Sequence, residues 1–206
     1  MKIKHIITAL TLALSLSINI TAQSRATGTI NGHKYVDLGL SVVWATYNIG
    51  ADKPEDYGDY YAWGEAETKS EYTEENSATY GKDDFTFHDA AAENWGGSWR
   101  MPTKDEFQEL IDNCDWAWTT VGGHNGRKVT SKKNGKSIFL PAAGYRSSTQ
   151  LDHANEWGNY WSLSPYKSSS NDADDLYFFE YFQTANSDLG DRYYGKSIRP
   201  VADKTE

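Results

Sequence analysis

The sequence predicts one α+β domain built from short antiparallel strands and two helices, with long polar loops between them. Three observations support this: a capped helical pattern after Pro102, an Asn134-Gly135 turn between two strand-like segments, and an aromatic content of 14% with only 5 prolines. Such a composition is too rich in ordering residues for a disordered chain. The 206 residues are enough for one hydrophobic core.

Residues 1–22 have the pattern of a secretory signal peptide. Lys2 and Lys4 precede an apolar run that ends at Thr21-Ala22. Thr and Ser interrupt this run, so it is too short to remain as a membrane-spanning helix. We therefore expect export to the periplasm, the outer surface or the extracellular space, without membrane insertion after cleavage.

The net charge excludes polyanionic partners. It is −9 for the whole chain, and removal of Lys2 and Lys4 with the signal peptide makes it −11. An acidic surface of this size repels nucleic acid and anionic membranes. Cys114, alone in the sequence, cannot form an intramolecular disulfide or a cysteine zinc site. Export without a disulfide fits a bacterial periplasm or surface.

Residues 23–32 are interpreted as a short N-terminal segment, residues 33–202 as the single domain and residues 203–206 as a C-terminal tail. Extended segments are predicted at residues 33–38, 41–46, 127–132, 136–140, 160–164, 176–182 and 197–201. The acidic stretch of residues 51–84 has few aliphatic side chains, so we expect a long surface excursion there.

The strongest helix signal begins at Thr103, which forms a capping box with Glu106. The apolar residues that follow recur at the spacing of one buried helix face: Phe107, Leu110, Ile111 and Cys114. A shorter helix is predicted at residues 89–94, ending at Gly96-Gly97. The Asn134-Gly135 pair predicts a two-residue hairpin turn, because both residues tolerate positive φ.

Four sequence blocks carry a resemblance to a known family. They are Tyr35 to Leu40 with Trp44-Ala45, Trp99 to Thr103 before Glu106, Leu140 to Arg146, and Gly158 to Ser162 with the closing Gly195 to Val201. Together they resemble the Fibrobacter succinogenes major paralogous domain, which is common in secreted proteins of gut Bacteroides-type bacteria. The resemblance covers about residues 33–202.

The resemblance implies a C-type-lectin-like fold, in which two helices lie beside small antiparallel sheets and long loops form the surface. This fold is related in architecture to formylglycine-generating enzymes, and it implies no particular activity. The residues of the shared blocks are expected to be scaffold: Trp99, Arg100, Pro102, Tyr160, Trp161, Arg199 and Pro200. A buried Arg199 would need a carboxylate or carbonyl partner.

The sequence favours a protein without enzymatic activity. The cysteine-oxidising relatives hold copper with two cysteines, whereas Cys114 is alone on the apolar helix face. The histidines outside the signal peptide are scattered singly: His33, His88, His124 and His153. Glu65 and Glu67 beside Trp63 imitate a glycosidase pair, but a solvated acidic loop explains them. We therefore predict no catalytic residues and no cofactor.

Calcium is the one metal worth considering. An oxygen-rich run offers a weak candidate site: Asn171, Asp172, Asp174 and Asp175. The proline and Trp-Asn-Asp motifs with which many C-type lectins hold calcium are missing, and Tyr177 and Gln183 stand where a helix-loop-helix calcium site needs Gly and Glu. A solvated acidic loop is the preferred interpretation, so calcium is optional.

The loops after Arg146 combine aromatic rings with short polar side chains, a mixture that suits recognition of a protein or a glycan. The candidate ligand-binding residues are Gln150, Asp152, His153, Asn155, Trp157, Tyr166, Asn171, Asp188, Asp191, Arg192, Tyr193 and Tyr194. We expect a monomeric, surface-exposed binding protein. One alternative is a structural subunit of a bacterial surface assembly, using residues 51–84. Another is a diversified receptor-type variable protein of a retroelement, since Gly158 to Ser162 and Gly195 to Arg199 match the fixed frame of those proteins.

Overall fold

Strands dominate the protein. The computed structural model describes residues 23–185 and 190–204. Strands account for 39% of the structure and helices for 9%. The strands form four sheets, and the helices are two short ones. The predicted α+β, C-type-lectin-like arrangement of two helices with small antiparallel sheets is therefore wrong. The signal peptide at residues 1–22 and the candidate Asp188 lie outside the described residues.

The elements follow one another in the chain as β1 Gly28–Ile30, β2 His33–Val36, β3 Val42–Ala45, α1 Ala90–Trp95, α2 Lys104–Asn113, β4 Cys114–Val121, β5 His124–Ser131, β6 Ser137–Pro141, β7 Tyr145–Ser147, β8 Gln150–Asp152, β9 Gly158–Pro165, β10 Ala173–Phe179, β11 Phe182–Thr184 and β12 Val201–Asp203. The sheets have the orders β1-β2-β3-β12, β11-β10-β9, β4-β5-β6 and β7-β8. Neighbouring strands in each sheet are antiparallel.

Both predicted helices are present, although α2 is shorter than expected. The Thr103 hydroxyl accepts a hydrogen bond from the Glu106 amide, and the Glu106 carboxylate accepts one from the Thr103 amide, which confirms the capping box. Asp89 caps α1 in a similar way. Cys114 is buried, as expected, but it begins β4 instead of completing the helix.

The sheet formed by β4, β5 and β6 differs most from the prediction. Strand β4 was missed, and it pairs along its whole length with β5. Its polar residues Asp115, Thr119 and Thr120 hid the period-two pattern that half-buries Trp116 and Trp118. The β5–β6 hairpin is present, but its turn is longer than two residues, because the Ser131 amide donates to the Lys136 carbonyl.

The acidic segment of residues 51–84 is not a purely surface excursion. It contains no regular strand or helix, yet Tyr61, Trp63 and Tyr72 are about 2% exposed. Trp63 Nε1 donates to the Ser162 carbonyl at 2.9 Å, and Trp161 Nε1 donates to the Tyr61 carbonyl at 2.8 Å. The segment is thus tied to β9 by indole hydrogen bonds, which its charge pattern concealed.

The expected scaffold role of the buried arginine is confirmed. Arg199 is fully buried, and its guanidinium donates to Asn48 Oδ1 and to the carbonyls of Ala45 and Phe139. Residues 23–32 also belong to the fold, since β1 pairs with β2 and Gln23 accepts a hydrogen bond from the Phe139 amide. In the part of the chain that the structure describes, no helix has the length and apolar character needed to cross a membrane.

Candidate functional site

A continuous row of aromatic rings crosses the loops and the β11-β10-β9 sheet. We call it the aromatic strip. Its members are Tyr80, Tyr193, Tyr194, Tyr145, His153, Trp157, Tyr177, Phe179 and Phe182, and successive ring centroids lie between 3.5 and 6.4 Å apart. The strip reaches solvent most openly at Phe182, which is 46% exposed next to Tyr181 at 82%.

The centre of the strip is a stacked pair formed within one turn of chain. The His153 carbonyl accepts hydrogen bonds from the amides of Glu156 and Trp157. This turn places His153 and Trp157 four positions apart on the same side, so their rings stack with centroids 3.5 Å apart and an angle of 11°. His153 Nδ1 also lies 3.0 Å from a Glu156 carboxylate oxygen.

Backbone pairing brings the other loops to this pair. The Gly144 amide donates to the Trp157 carbonyl at 2.7 Å, which places β7 beside the turn. Arg146 and Gly195 exchange two backbone hydrogen bonds of 2.7 and 3.0 Å. Tyr194 is thereby held with its ring centroid 5.0 Å from that of Tyr145.

Strand β10 contributes rings to the far end of the strip, because its successive side chains alternate between the two faces of the sheet. Leu176 and Phe178 are fully buried, whereas Tyr177 and Phe179 are half-buried on the opposite face. The Tyr177 ring meets the Trp157 ring edge-on at 5.5 Å. The turn into β11 then places Phe182 against Phe179.

Carboxylates border the aromatic strip. Glu74 and Glu180 act electrostatically on Tyr80 and Tyr181, respectively, and Glu156 Oε2 lies 3.0 Å from His153 Nδ1. Asp152 and Asp191 act electrostatically on Tyr145 and Tyr193, respectively. Burial is the main cause that raises the pKa of Tyr80, Tyr145, Tyr177 and Tyr193, so these phenols are neutral hydrogen-bonding groups at physiological pH.

Asp191, which borders the strip, makes the free energy of unfolding depend on pH. Burial and the neighbouring Asp172 raise its pKa above the value of 3.8. The folded state therefore binds more protons than the unfolded state, and stability falls as the pH rises from 3.8 through the raised pKa. We expect Asp191→Asn to remove this decrease and to raise the free energy of unfolding at pH 7 by less than about 1 kcal/mol, given the solvent screening.

Urea unfolding from pH 4 to pH 8 would measure this effect. Asp115→Asn is the matched control, because the Asp115 side chain is 76% exposed. Equal pH slopes for wild type and Asp191→Asn would contradict the assignment.

The structure brings together part of the predicted ligand-binding set. His153, Trp157, Tyr193 and Tyr194 belong to the aromatic strip. Three further candidates lie beside it. Asp152 is the backbone partner of Tyr145 in the β7–β8 register, and Asp191 forms an isolated backbone bridge with Asp172. The side-chain amide of Asn171 donates a hydrogen bond to the Tyr80 hydroxyl at 3.3 Å.

The remaining candidates are not members of the strip. Gln150 is exposed in β8, in the register pair with Ser147. Asn155 is a structural residue, because its side-chain oxygen and its carbonyl both accept hydrogen bonds from Asn125. Tyr166 lines a separate cavity of about 500 Å³ with Lys104 and Asp174. Arg192 is only 4% exposed and packs against Trp63.

The weak calcium quartet does not converge. Asp174 and Asp175 are adjacent in β10, where the pairing with β9 is irregular, and their side chains take different partners. Asp174 pairs with Lys104 at 3.0 Å and Asp175 pairs with Lys196 at 2.8 Å. Among the described residues, no group of three or more His, Cys, Asp or Glu side chains has the arrangement of a metal site.

The residues considered for catalysis are also held apart. Glu65 lies 2.5 Å from Lys69 and accepts a hydrogen bond from the Ala78 amide, while Glu67 is exposed. His33 stacks on Trp95, whereas His153 stacks on Trp157. Burial raises the pKa of the Cys114 thiol to about 11, which keeps it unreactive.

Sequence reasoning missed Tyr80, Tyr145, Tyr177, Phe179 and Phe182. For Tyr177 and Phe179 the signal existed, since period-two alternation in the predicted strand at 176–182 points them away from the core. Comparison with known proteins gave no match to a family model, to a curated protein or to a solved structure. The family resemblance stays a prediction from the four sequence blocks, and the functional argument rests on the geometry of the strip.

Proposed function

We propose that this chain is an exported, non-enzymatic binding protein whose aromatic strip docks a cationic polypeptide segment. The observation that carries the proposal is the continuity of the strip from Tyr80 to Phe182, with carboxylates along its border. Tyrosine and tryptophan supply large contact areas with few rotatable bonds, and they dominate binding hot spots.

The charge of the border favours a cationic partner over a neutral or acidic one. Glu74, Asp152, Glu156, Glu180 and Asp191 border the strip, and the whole chain has a net charge of −9. Lysine and arginine side chains gain from the faces of aromatic rings and from nearby carboxylates together. The border also weakens binding of acidic competitors, which gives specificity as well as attraction.

An extended segment fits the geometry better than a compact ligand. The rings follow one another in a series of contacts from Tyr80 to Phe182. The series ends at β11, a three-residue strand at the edge of its sheet. The side chains of an extended peptide alternate in direction, so every second residue can contact the row of rings.

The proposal is tested by fluorescence anisotropy with a labelled twelve-residue peptide of alternating Lys and Leu, and with the same peptide carrying Glu in place of Lys. We expect saturable binding of the lysine peptide alone, weakened by salt. Trp157→Ala and Tyr177→Ala should each weaken it at least tenfold, the effect of losing a hot-spot ring. Tyr166→Ala is the matched control, since Tyr166 is 38% exposed outside the strip and should leave binding unchanged.

Three outcomes would overturn the proposal. They are equal binding of the lysine and glutamate peptides, binding of the lysine peptide that Trp157→Ala and Tyr177→Ala leave intact, and no saturable binding of the lysine peptide. A glycan array would identify the competing ligand class: sugar binding that disappears in Trp157→Ala would assign the strip to a glycan instead.

A further inference from the structure

A second surface feature is lined by Arg192, the residue that precedes Tyr193 and Tyr194 in the chain. It is an open groove of about 440 Å³, a volume in the range of small-molecule sites. Its walls are apolar: Trp63, Phe85, Phe87, Leu163 and Pro165. Both phenylalanine rings meet Trp63 edge-on, at centroid distances of 5.8 and 4.8 Å. The aromatic strip shares none of these residues.

The buried side chain of Arg192 lines this groove. Arg192 is 4% exposed, and its guanidinium lies 4.5 Å from the Trp63 ring centroid and 5.4 Å from that of Phe85. Burial lowers the pKa of Arg192, but arginine remains charged under all ordinary conditions. Within the described parts of the chain, no carboxylate forms an ion pair with Arg192.

The donors of Arg192 are only partly used. Nε donates to the Asp172 carbonyl at 3.0 Å, and Nη1 donates to the carbonyls of Thr79 and Lys82 at 3.3 and 3.2 Å. Nη2 has no acceptor among residues 23–185 and 190–204, and it is not one of the enclosed unpaired polar atoms. Two N–H donors of a buried cation that lines the groove therefore remain available for a ligand. Asp172 and Asp83 act on this cation electrostatically without forming an ion pair with it.

We propose that this groove binds a small monocarboxylate with an apolar or aromatic body. The carboxylate would accept hydrogen bonds from Arg192 Nη2 and supply the counter-ion that the guanidinium lacks, and charge-assisted bonds of this kind are the strong ones. The apolar body would lie against Phe85, Phe87 and Leu163, where its burial adds favourable free energy.

The polar border of the groove favours a ligand with one negative charge over a ligand with two. Lys82 lines the groove, but its ammonium donates to the carbonyls of Ser77 and Ala78, so it contributes at longer range. Asp83 lies on the same border and repels a dianion more strongly than a monoanion. Inorganic phosphate is therefore a poorer ligand than a carboxylate.

Isothermal titration calorimetry with 3-phenylpropionate tests the site, and 3-phenylpropionamide and inorganic phosphate serve as comparison ligands. We expect the acid to bind at least tenfold more tightly than either. Arg192→Lys should weaken it at least tenfold, because lysine cannot reproduce the guanidinium donors. Arg146→Lys is the matched control: Arg146 also lies over an aromatic ring, that of Tyr60 at 5.1 Å, outside the groove.

If Arg192→Lys does not fold, Phe85→Ser replaces it, since Phe85 is a half-buried wall residue. This change should weaken binding of the acid at least fivefold. The inference is overturned by equal affinities for acid and amide, by phosphate binding as tightly as the acid, by no saturable binding of the acid, or by binding that neither groove variant changes. Trp157→Ala should leave acid binding intact, so the outcome is independent of the aromatic strip.

Discussion

Asp175→Ala should lower the free energy of unfolding by about 3 to 5 kcal/mol, the cost of leaving a buried partner charge uncompensated. Asp175 and Lys196 have side chains that are 0% exposed, and Lys196 Nζ lies 2.8 Å from a carboxylate oxygen of Asp175. The same ammonium lies 3.8 Å from the Trp161 ring centroid. Urea unfolding at pH 7 measures the loss.

A double variant separates the buried charge from packing. In Asp175→Leu with Lys196→Met both charges are removed, and stability should recover to within about 2 kcal/mol of wild type, because apolar replacements of buried pairs are often neutral. Asp115→Ala is the exposed counterpart: its 4.0 Å pair with Lys132 is solvent-accessible, and its loss should cost less than about 1 kcal/mol. A double variant as unstable as Asp175→Ala would contradict the uncompensated-charge explanation.

Gly144→Ala should destabilise the protein by about 2 to 5 kcal/mol and disorder the centre of the aromatic strip. Gly144 has a φ of +65°, which costs an alanine about 1 to 2 kcal/mol, and an added Cβ would lie 2.1 Å from the Asp152 carbonyl oxygen. Relief of that overlap must move the backbone, at a further cost of about 1 to 3 kcal/mol. Since Gly144 also donates to the Trp157 carbonyl, the His153–Trp157 stack should be displaced.

Gly135→Ala provides the matched control for the backbone conformation. Gly135 has a φ of +71° and nothing within 4 Å of an added Cβ. Its cost should be the conformational part alone, about 1 to 2 kcal/mol. Chemical denaturation gives both values, and near-ultraviolet circular dichroism reports the tryptophan environment. Equal costs and unchanged spectra for the two variants would show that the Asp152 contact is unimportant.

Local signals in the sequence predicted local structure. The Thr103–Glu106 capping box fixes the start of α2 because its hydrogen bonds join residues three positions apart. The β5–β6 hairpin follows from Gly135, which alone supplies the positive φ, since Asn134 is not in that region. The two-residue turn was wrong because the Ser131–Lys136 pair closes a wider loop.

The fold class could not be read in the same way. Strand β4 owes its place to its pairing with β5, and its own residues are polar enough to resemble a loop. Tertiary pairing decides such segments, and no periodicity within them reveals the partner.

The candidate site was found in part because loop composition is visible in a sequence, whereas the convergence of loops is not. Tyr193 and Tyr194 were recognised from their loop, but Tyr145 joins them only through the backbone pairing of Arg146 with Gly195. The residues of the calcium candidate are separated for the opposite reason. Neighbours in the sequence were expected to act together, but Asp174 pairs with Lys104 and Asp175 pairs with Lys196.

The first sheet is completed only when β12, its last strand in the chain, pairs with β3. Val201 lies opposite Trp44, and both side chains are fully buried. The sheet therefore contains the first and the last strand of the described chain. Contacts of such high sequence separation form late, because the intervening chain must first be ordered. A ribosome-bound chain still lacking β12 cannot close this sheet. The order of the strands thus delays completion of the first sheet until Val201 to Asp203 have been synthesised.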